Sequence, residues 1–126
     1  MNKVTEIWLE IPRVPPSYSQ IIRMKVRDRI QLKKLWRMEV AVAITETTVC
    51  WVNFIRGFKV VRIVQHRERL IRDPDNLWAS VKPIMDALKF AGLIIDDDFK
   101  NINLESVTQH RTSFNVRTVI IISDPE

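Results

Sequence analysis

Alternation of apolar and polar residues predicts four β-strands. Ile7 and Leu9 alternate with Glu6, Trp8 and Glu10, as in a strand with one buried face, and Pro12 ends that run. The predicted strands cover residues 4 to 11, 58 to 69, 102 to 112 and 115 to 123. We expect the second to be central in the sheet and the last two to form a closing hairpin that turns near residues 112 to 114.

Apolar residues at three-to-four spacing predict two helices, over residues 26 to 47 and 75 to 91. Their buried stripes are Leu32, Leu35, Trp36, Val40 and Ala43 in the first, and Leu77, Val81, Ile84, Met85, Leu88 and Ala91 in the second. Asp73 is a suitable N-cap, Pro74 fits the first helical position, and Gly92 is a C-terminal stop. The Pro-Pro-Ser-Tyr segment at residues 15 to 18 predicts a loop.

The resulting order, β-α-β-α-β-β, predicts one α+β domain over residues 1 to 126, with two main helices packed on a mixed sheet. The single cysteine, Cys50, excludes an internal disulfide and fits a reducing cytoplasm. No signal peptide or long apolar span is present, so we expect a cytoplasmic protein without a membrane partner.

Acidic residues cluster at the two ends of the second predicted helix. Asp73 and Asp75 lie at its start, and three consecutive aspartates, Asp96, Asp97 and Asp98, follow it. Close carboxylates repel one another unless a cation shares them, and carboxylate oxygens suit Mg²⁺ or Mn²⁺. N-caps and polar turns explain each cluster separately, so the metal site is predicted from their joint occurrence in a basic chain.

Lys82 lies seven residues after Asp75, at nearly the same helical azimuth and about 10 Å further along the axis. We therefore expect its long side chain to approach the Asp73–Asp75 pair. An uninterrupted helix would be about 25 Å long, whereas residues 92 to 97 span at most about 20 Å. Asp97 could still approach Asp75 in two ways, and both remain open. Either the helix bends at Pro83 within one chain, or the two acidic clusters meet across a dimer interface.

Basic residues dominate two blocks that flank this region. Residues 13 to 37 carry eight Lys or Arg against Asp28, residues 56 to 72 carry six against Glu68, and the formal net charge is +5. A polyanionic partner is indicated, because phosphate contacts dominate nucleic-acid affinity. The candidate DNA-binding residues are Arg29, Lys33, Arg37, Arg67, Arg69 and Arg72. Tyr18, Trp36 and Phe99 are candidates for base stacking, and His66 and His110 are expected to be strand residues at the sheet edge.

Three motifs together resemble the RusA-type Holliday junction resolvases of bacteria and their phages. They are Arg-Asp-Pro-Asp-Asn-Leu at residues 72 to 77, Lys82 four residues before Asp-Ala-Leu, and Ala-Gly with an apolar run into Asp96 and Asp97. The resemblance is densest over residues 72 to 98 and extends faintly to the Pro-Pro-Ser at residues 15 to 17. Here the interval before Lys82 is about one helical turn longer than in the best-known member.

The resemblance implies a dimeric, Mg²⁺-dependent endonuclease that resolves four-way DNA junctions by paired symmetric nicks in recombination and repair, with Mn²⁺ as an alternative ion. It implies that Asp73, Asp75 and Asp97 are catalytic metal ligands, Asp96 a supporting ligand and Lys82 a catalytic lysine. Apolar residues left over between residues 51 and 58 are candidates for the homodimer contact: Trp51, Val52, Phe54, Ile55 and Phe58. Two other functions remain open, a non-catalytic branched-DNA-binding protein and a metal-dependent nuclease for flaps, forks or RNA.

Overall fold

The computed structural model describes residues 6 to 47 and 57 to 125. In the order of the chain the elements are β1 (Glu6–Ile11), α1 (Tyr18–Arg23), α2 (Val26–Glu46), β2 (Lys59–Arg67), α3 (Pro74–Ala79), α4 (Lys82–Phe90), β3 (Ile102–Arg111) and β4 (Arg117–Ser123). This is the small α+β domain with a mixed sheet that the alternation predicts. Predicted features at residues 4, 5 and 50 to 55, including Cys50, Trp51, Val52, Phe54 and Ile55, lie outside the described residues.

The sheet has the strand order β1-β4-β2-β3, which contradicts the predicted closing hairpin. Strand β2 lies between β3 and β4, pairs parallel with β3, and pairs antiparallel with β4. The α3–α4 connection crosses over the sheet and returns the chain parallel to β2. Strand β4 has three consecutive buried residues, Ile120 to Ile122, which suits its interior position in the sheet.

Within residues 6 to 47 and 57 to 125, the helices pack against one face of the sheet. Alternate residues of β1, such as Ile7 and Leu9, join the buried cluster formed with Trp36 and Val40 of α2. The intervening residue Trp8 is 61% exposed on the opposite face. None of the helices within residues 6 to 47 and 57 to 125 has the length and apolar character that a bilayer crossing requires.

Helix α1 was not predicted, although its start carries a sequence signal. The Ser17 side chain accepts from the backbone N–H of Gln20, and the Gln20 side chain accepts from the Ser17 N–H at 2.9 Å. This reciprocal capping box is encoded by the Ser-x-x-Gln spacing. The predicted loop therefore ends at Ser17, and Tyr18 begins a helix.

The second predicted helix is two helices, and this corrects the uninterrupted span over residues 75 to 91. Asp73 caps α3 and Pro74 opens it, as predicted, but α3 ends at Ala79. Pro83 has no N–H for the carbonyl four residues earlier, and it occupies the first turn of α4, where that absence is tolerated. At the far end Gly92 has a φ of 81° and donates to the Lys89 carbonyl, while Leu93 donates to the Leu88 carbonyl. This pair of hydrogen bonds is a Schellman motif that reverses the chain.

Candidate functional site

Lys82 and Asp97 are in direct contact. The Lys82 Nζ atom lies 2.9 Å from Asp97 Oδ2 and 3.4 Å from Asp86 Oδ1. Lys82 begins α4, whereas Asp97 belongs to the loop that follows the Gly92 reversal. Burial of Leu93 and Ile94 fixes that loop against the core, so the chain returns along α4 and brings Asp97 to Lys82.

A second ion pair holds the same loop. Lys89 Nζ lies 3.1 Å from Asp96 Oδ1, which also accepts the backbone N–H of Asp97 at 2.7 Å. That N–H and the Lys89 ammonium lower the pKa of the Asp96 carboxyl. The hydrogen bond to Asp97, followed by the charge of Asp86, raises the pKa of Lys82. Asp96 is therefore ionised and Lys82 protonated at neutral pH.

The other acidic pair lies at the start of α3. Asp73 accepts the Asp75 backbone N–H at 2.9 Å and faces the Asn76 amide at 3.4 Å. Asp75 is exposed, and its carboxylate makes no hydrogen bond or ion pair with the described residues. The preceding loop is anchored to β3, because the Ile71 N–H donates to Gln109 and the Gln109 amide donates to the Ile71 carbonyl.

The Lys82 ammonium contacts Asp97 and Asp86, and among the described residues it forms no ion pair with Asp73 or Asp75. The predicted approach assumed one continuous helix, whereas α3 ends at Ala79 and α4 begins at Lys82. Across residues 6 to 47 and 57 to 125, no three Asp, Glu, His or Cys residues form a group that could hold a metal ion. The carboxylate chemistry thus suits a hard divalent cation, but this single chain holds its predicted ligands as two separate pairs.

A cleft of about 480 Å³ lies beside Lys82 and Asp97. Its lining consists of Tyr18, Trp78, Ala79, Val81, Lys82, Met85, Asp97, Ile102 and Leu104. Asp75 precedes Trp78 and Ala79 by three and four residues, which is one turn of helix on the same face. The acidic start of α3 therefore leads along one helix face to the cleft where Asp97 and Lys82 lie.

Two of the predicted DNA-binding cations adjoin this cleft. Arg29 and Lys33 line a smaller cleft of about 200 Å³, and Tyr18 and Lys82 belong to both clefts. The Arg29 guanidinium donates to the Met24 and Ile22 carbonyls, both at 3.2 Å, and thereby holds the α1–α2 connection.

The remaining predicted cations have different environments. Arg37 lies with its guanidinium carbon 4.0 Å from the centre of the Phe90 ring, a cation–π contact between α2 and α4. Arg69 and Arg72 are exposed on the loop between β2 and α3. Arg67 is only 8% exposed, so it is corrected to a structural residue. Its guanidinium donates to the Pro15 carbonyl at 2.7 Å and to Gln65 Oε1 at 2.6 Å.

Aromatic exposure changes the set of possible base contacts. Trp36 is buried in the core and is therefore no longer a candidate for base stacking. Phe99 is 86% exposed and remains one. Trp78 was not singled out from the sequence, although its place one turn after Asp75 was a usable signal. His66 and His110 are strand residues with stacked rings, 5.4 Å between centroids, but His66 lies in interior strand β2 and only His110 lies on the edge.

Comparison of this chain with protein-family models and with curated protein sequences finds no match.

Proposed function

We propose that this protein is a Mg²⁺-dependent endonuclease that recognises branched DNA and resolves four-way junctions by paired nicks. The observation that carries the proposal is the contact between Lys82 and Asp97 beside Arg29 and Lys33. Two acids, Asp97 and Asp86, and three cations, Lys82, Arg29 and Lys33, therefore line two clefts that share residues. Such a surface suits a phosphodiester, because the cations attract the phosphate and carboxylates are the usual ligands of a divalent ion.

Asp73, Asp75 and Asp97 are the residues that would hold Mg²⁺, with Asp96 in support. A Mg²⁺ ion bound there supplies Lewis acidity toward water and toward a phosphate oxygen. Lys82 would exchange one carboxylate contact for a phosphate oxygen and stabilise its negative charge with a charge-assisted hydrogen bond. Hydrolysis joins the water oxygen to phosphorus and breaks the bond to the 3′ oxygen, which leaves with a proton. The products are 5′-phosphate and 3′-hydroxyl ends.

A nicking assay with an Asp75→Asn variant tests this function. The substrates are a four-way junction and a linear duplex of matched length, each with and without Mg²⁺, and products are separated on a denaturing gel. We expect paired nicks in the junction only, only with Mg²⁺, and none with Asp75→Asn. Junction binding by that variant should be unchanged or tighter, because a negative charge near the phosphate is lost. Glu68→Gln removes an exposed acid outside the clefts and should nick normally.

A homodimer is part of the proposal, since two nicks in a twofold-symmetric junction require two sites. Mixed dimers of one Asp75→Asn chain and one Asp97→Asn chain show whether each site uses acids from both chains. If both clusters of a site belong to one chain, every site in the mixed dimer is defective and no nicking occurs. If the site is shared, one site carries both substitutions and the other is intact, so single nicks return.

A second function is favoured by the same ion pair. Lys82 already neutralises Asp97, and the described residues hold no three-carboxylate group. A branched-DNA-binding protein without catalysis is consistent with both observations. It would bind the junction with high affinity in the gel assay and leave it uncut at every Mg²⁺ or Mn²⁺ concentration.

A further inference from the structure

Two half-exposed aromatic rings line the cleft beside Lys82 and Asp97. Tyr18 at the start of α1 is 42% exposed, and Trp78 in α3 is 43% exposed. Val81, Met85 and Leu104 contribute apolar surface to the same cleft. The cleft is therefore largely apolar, and Lys82 and Asp97 are the charged residues that line it.

These two rings contribute little to the packing of the core. Neither Tyr18 nor Trp78 belongs to the buried core cluster. Among the described residues the two histidines are the stacked ring pair, and neither the Tyr18 hydroxyl nor the Trp78 indole N–H makes a hydrogen bond. Both side chains therefore keep an apolar face and a polar edge available to a ligand.

The charged residues beside the aromatic cleft indicate the kind of ligand that it binds. The smaller cleft shares Tyr18 and Lys82 with the aromatic cleft and adds Arg29, Lys33 and Asp86, so three cations and one acid line it. An apolar, aromatic cavity thus adjoins three cationic side chains. A nucleotide has the matching arrangement, because its base is a flat ring with polar edges and its phosphate is an anion one sugar away.

We propose that the cleft between Tyr18 and Trp78 binds one unpaired nucleobase, while Lys82, Arg29 and Lys33 hold the neighbouring phosphates of that strand. This assignment rests on the proposed function in taking the strand to be part of the DNA substrate. The bases of duplex DNA are stacked and inaccessible to a pocket. The pocket therefore favours DNA in which a base is already unstacked, such as the branch point of a junction. Trp78 and Tyr18 are then specificity-determining residues that position the strand beside Lys82.

Binding of single strands in EDTA tests the pocket separately from nicking. The probes are a fluorescently labelled ten-residue oligothymidylate and an abasic strand of the same length, and fluorescence anisotropy measures their affinity for the full chain. The wild-type protein should bind the thymine strand more tightly than the abasic strand. Trp78→Ala should weaken thymine-strand binding about tenfold, the effect of losing one stacked base, and leave abasic-strand binding unchanged.

Matched variants separate stacking from general effects. Trp78→Phe keeps an aromatic face and should retain most of the affinity. Trp8→Ala removes a more exposed tryptophan from the open face of the sheet and should change neither affinity. If Trp78→Ala does not fold, Tyr18→Ala tests the other aromatic residue of the lining and should show the same selective loss. Equal binding of the two strands by the wild-type protein, or equal weakening of both by Trp78→Ala, would overturn the pocket.

The nicking assay distinguishes this failure from failure of the proposed function. A protein that nicks junctions but binds thymine and abasic strands equally is a nuclease without the base pocket. A protein that shows the selective Trp78 effect but never nicks has the pocket in a DNA-binding protein without catalysis.

Discussion

The Lys82 ammonium lies 2.9 Å from the Asp97 carboxylate, although the two residues are fifteen positions apart in the chain with most of α4 between them. The contact holds a candidate phosphate-binding cation against a candidate metal ligand. Both DNA and a divalent ion would therefore compete with an ion pair that already exists in the free protein.

The Lys82–Asp97 pair should contribute little stability and lose it in alkali. The Lys82 side chain is 64% exposed, so a double-mutant cycle with Lys82→Met and Asp97→Asn should give a coupling of about 0.2 to 1 kcal/mol. Folding raises the pKa of Lys82 above 10.5, so this stabilisation is complete below pH 10.5. It disappears as pH rises through the higher folded-state value. Urea unfolding at pH 8 and above pH 10.5 measures the coupling, with Lys34→Met replacing Lys82→Met as a control.

Arg67 should stabilise the fold rather than bind DNA. Arg67→Met leaves the Pro15 carbonyl and Gln65 Oε1 buried without their donor, which should lower the free energy of unfolding by about 2 to 4 kcal/mol. Arg69→Met removes an exposed guanidinium two residues later and should change that free energy by less than about 0.5 kcal/mol. Urea denaturation gives both values. Equal stability of the two variants would mean that Arg67 has no structural role.

Lys33 and Lys34 should differ in their contribution to DNA binding. Lys33 lines the cationic cleft with Lys82, whereas Lys34 is exposed about 100° further around α2. Lys33→Gln should reduce the magnitude of the slope of log affinity against log salt by about one, the contribution of one phosphate contact. Lys34→Gln should leave the slope unchanged. Anisotropy titrations of a four-way junction at several salt concentrations give both slopes. Equal slopes for the two variants would place the DNA elsewhere.

The stacked histidines should make stability depend on pH without affecting nicking. Burial, followed by the charges of Arg117 and His110, lowers the pKa of His66 below 6.5. The unfolded chain then takes up the proton first, so stability is complete above pH 6.5 and falls as pH drops toward the lower folded-state value. His66→Gln should flatten this fall in urea unfolding between pH 7.5 and pH 5. Unchanged pH dependence, or lost nicking at constant pH, would contradict this assignment.

Local features of the sequence were sufficient for most elements. The Asp73 cap, Pro74 at the first helical position and the Gly92 stop depend on hydrogen bonds and backbone angles within a few residues. The strand and helix periodicities likewise report which side of each element is buried. The capping box of α1 is equally local, so the sequence carries the signal for that helix as well.

Long-range contacts could not be predicted from local features of the sequence. Alternation shows that β4 is a buried strand, but its place between β1 and β2 depends on how all four strands and the helices share one core. The pairing of Lys82 with Asp97 follows from the break before Pro83 and the return of the chain along α4. Arg67, which belongs to a basic block in the sequence, is buried and donates to the carbonyl of Pro15, a residue far away in the chain. Hydrophobic pattern and charge identify the elements and the types of site residue, whereas their mutual distances depend on packing between segments far apart in the chain.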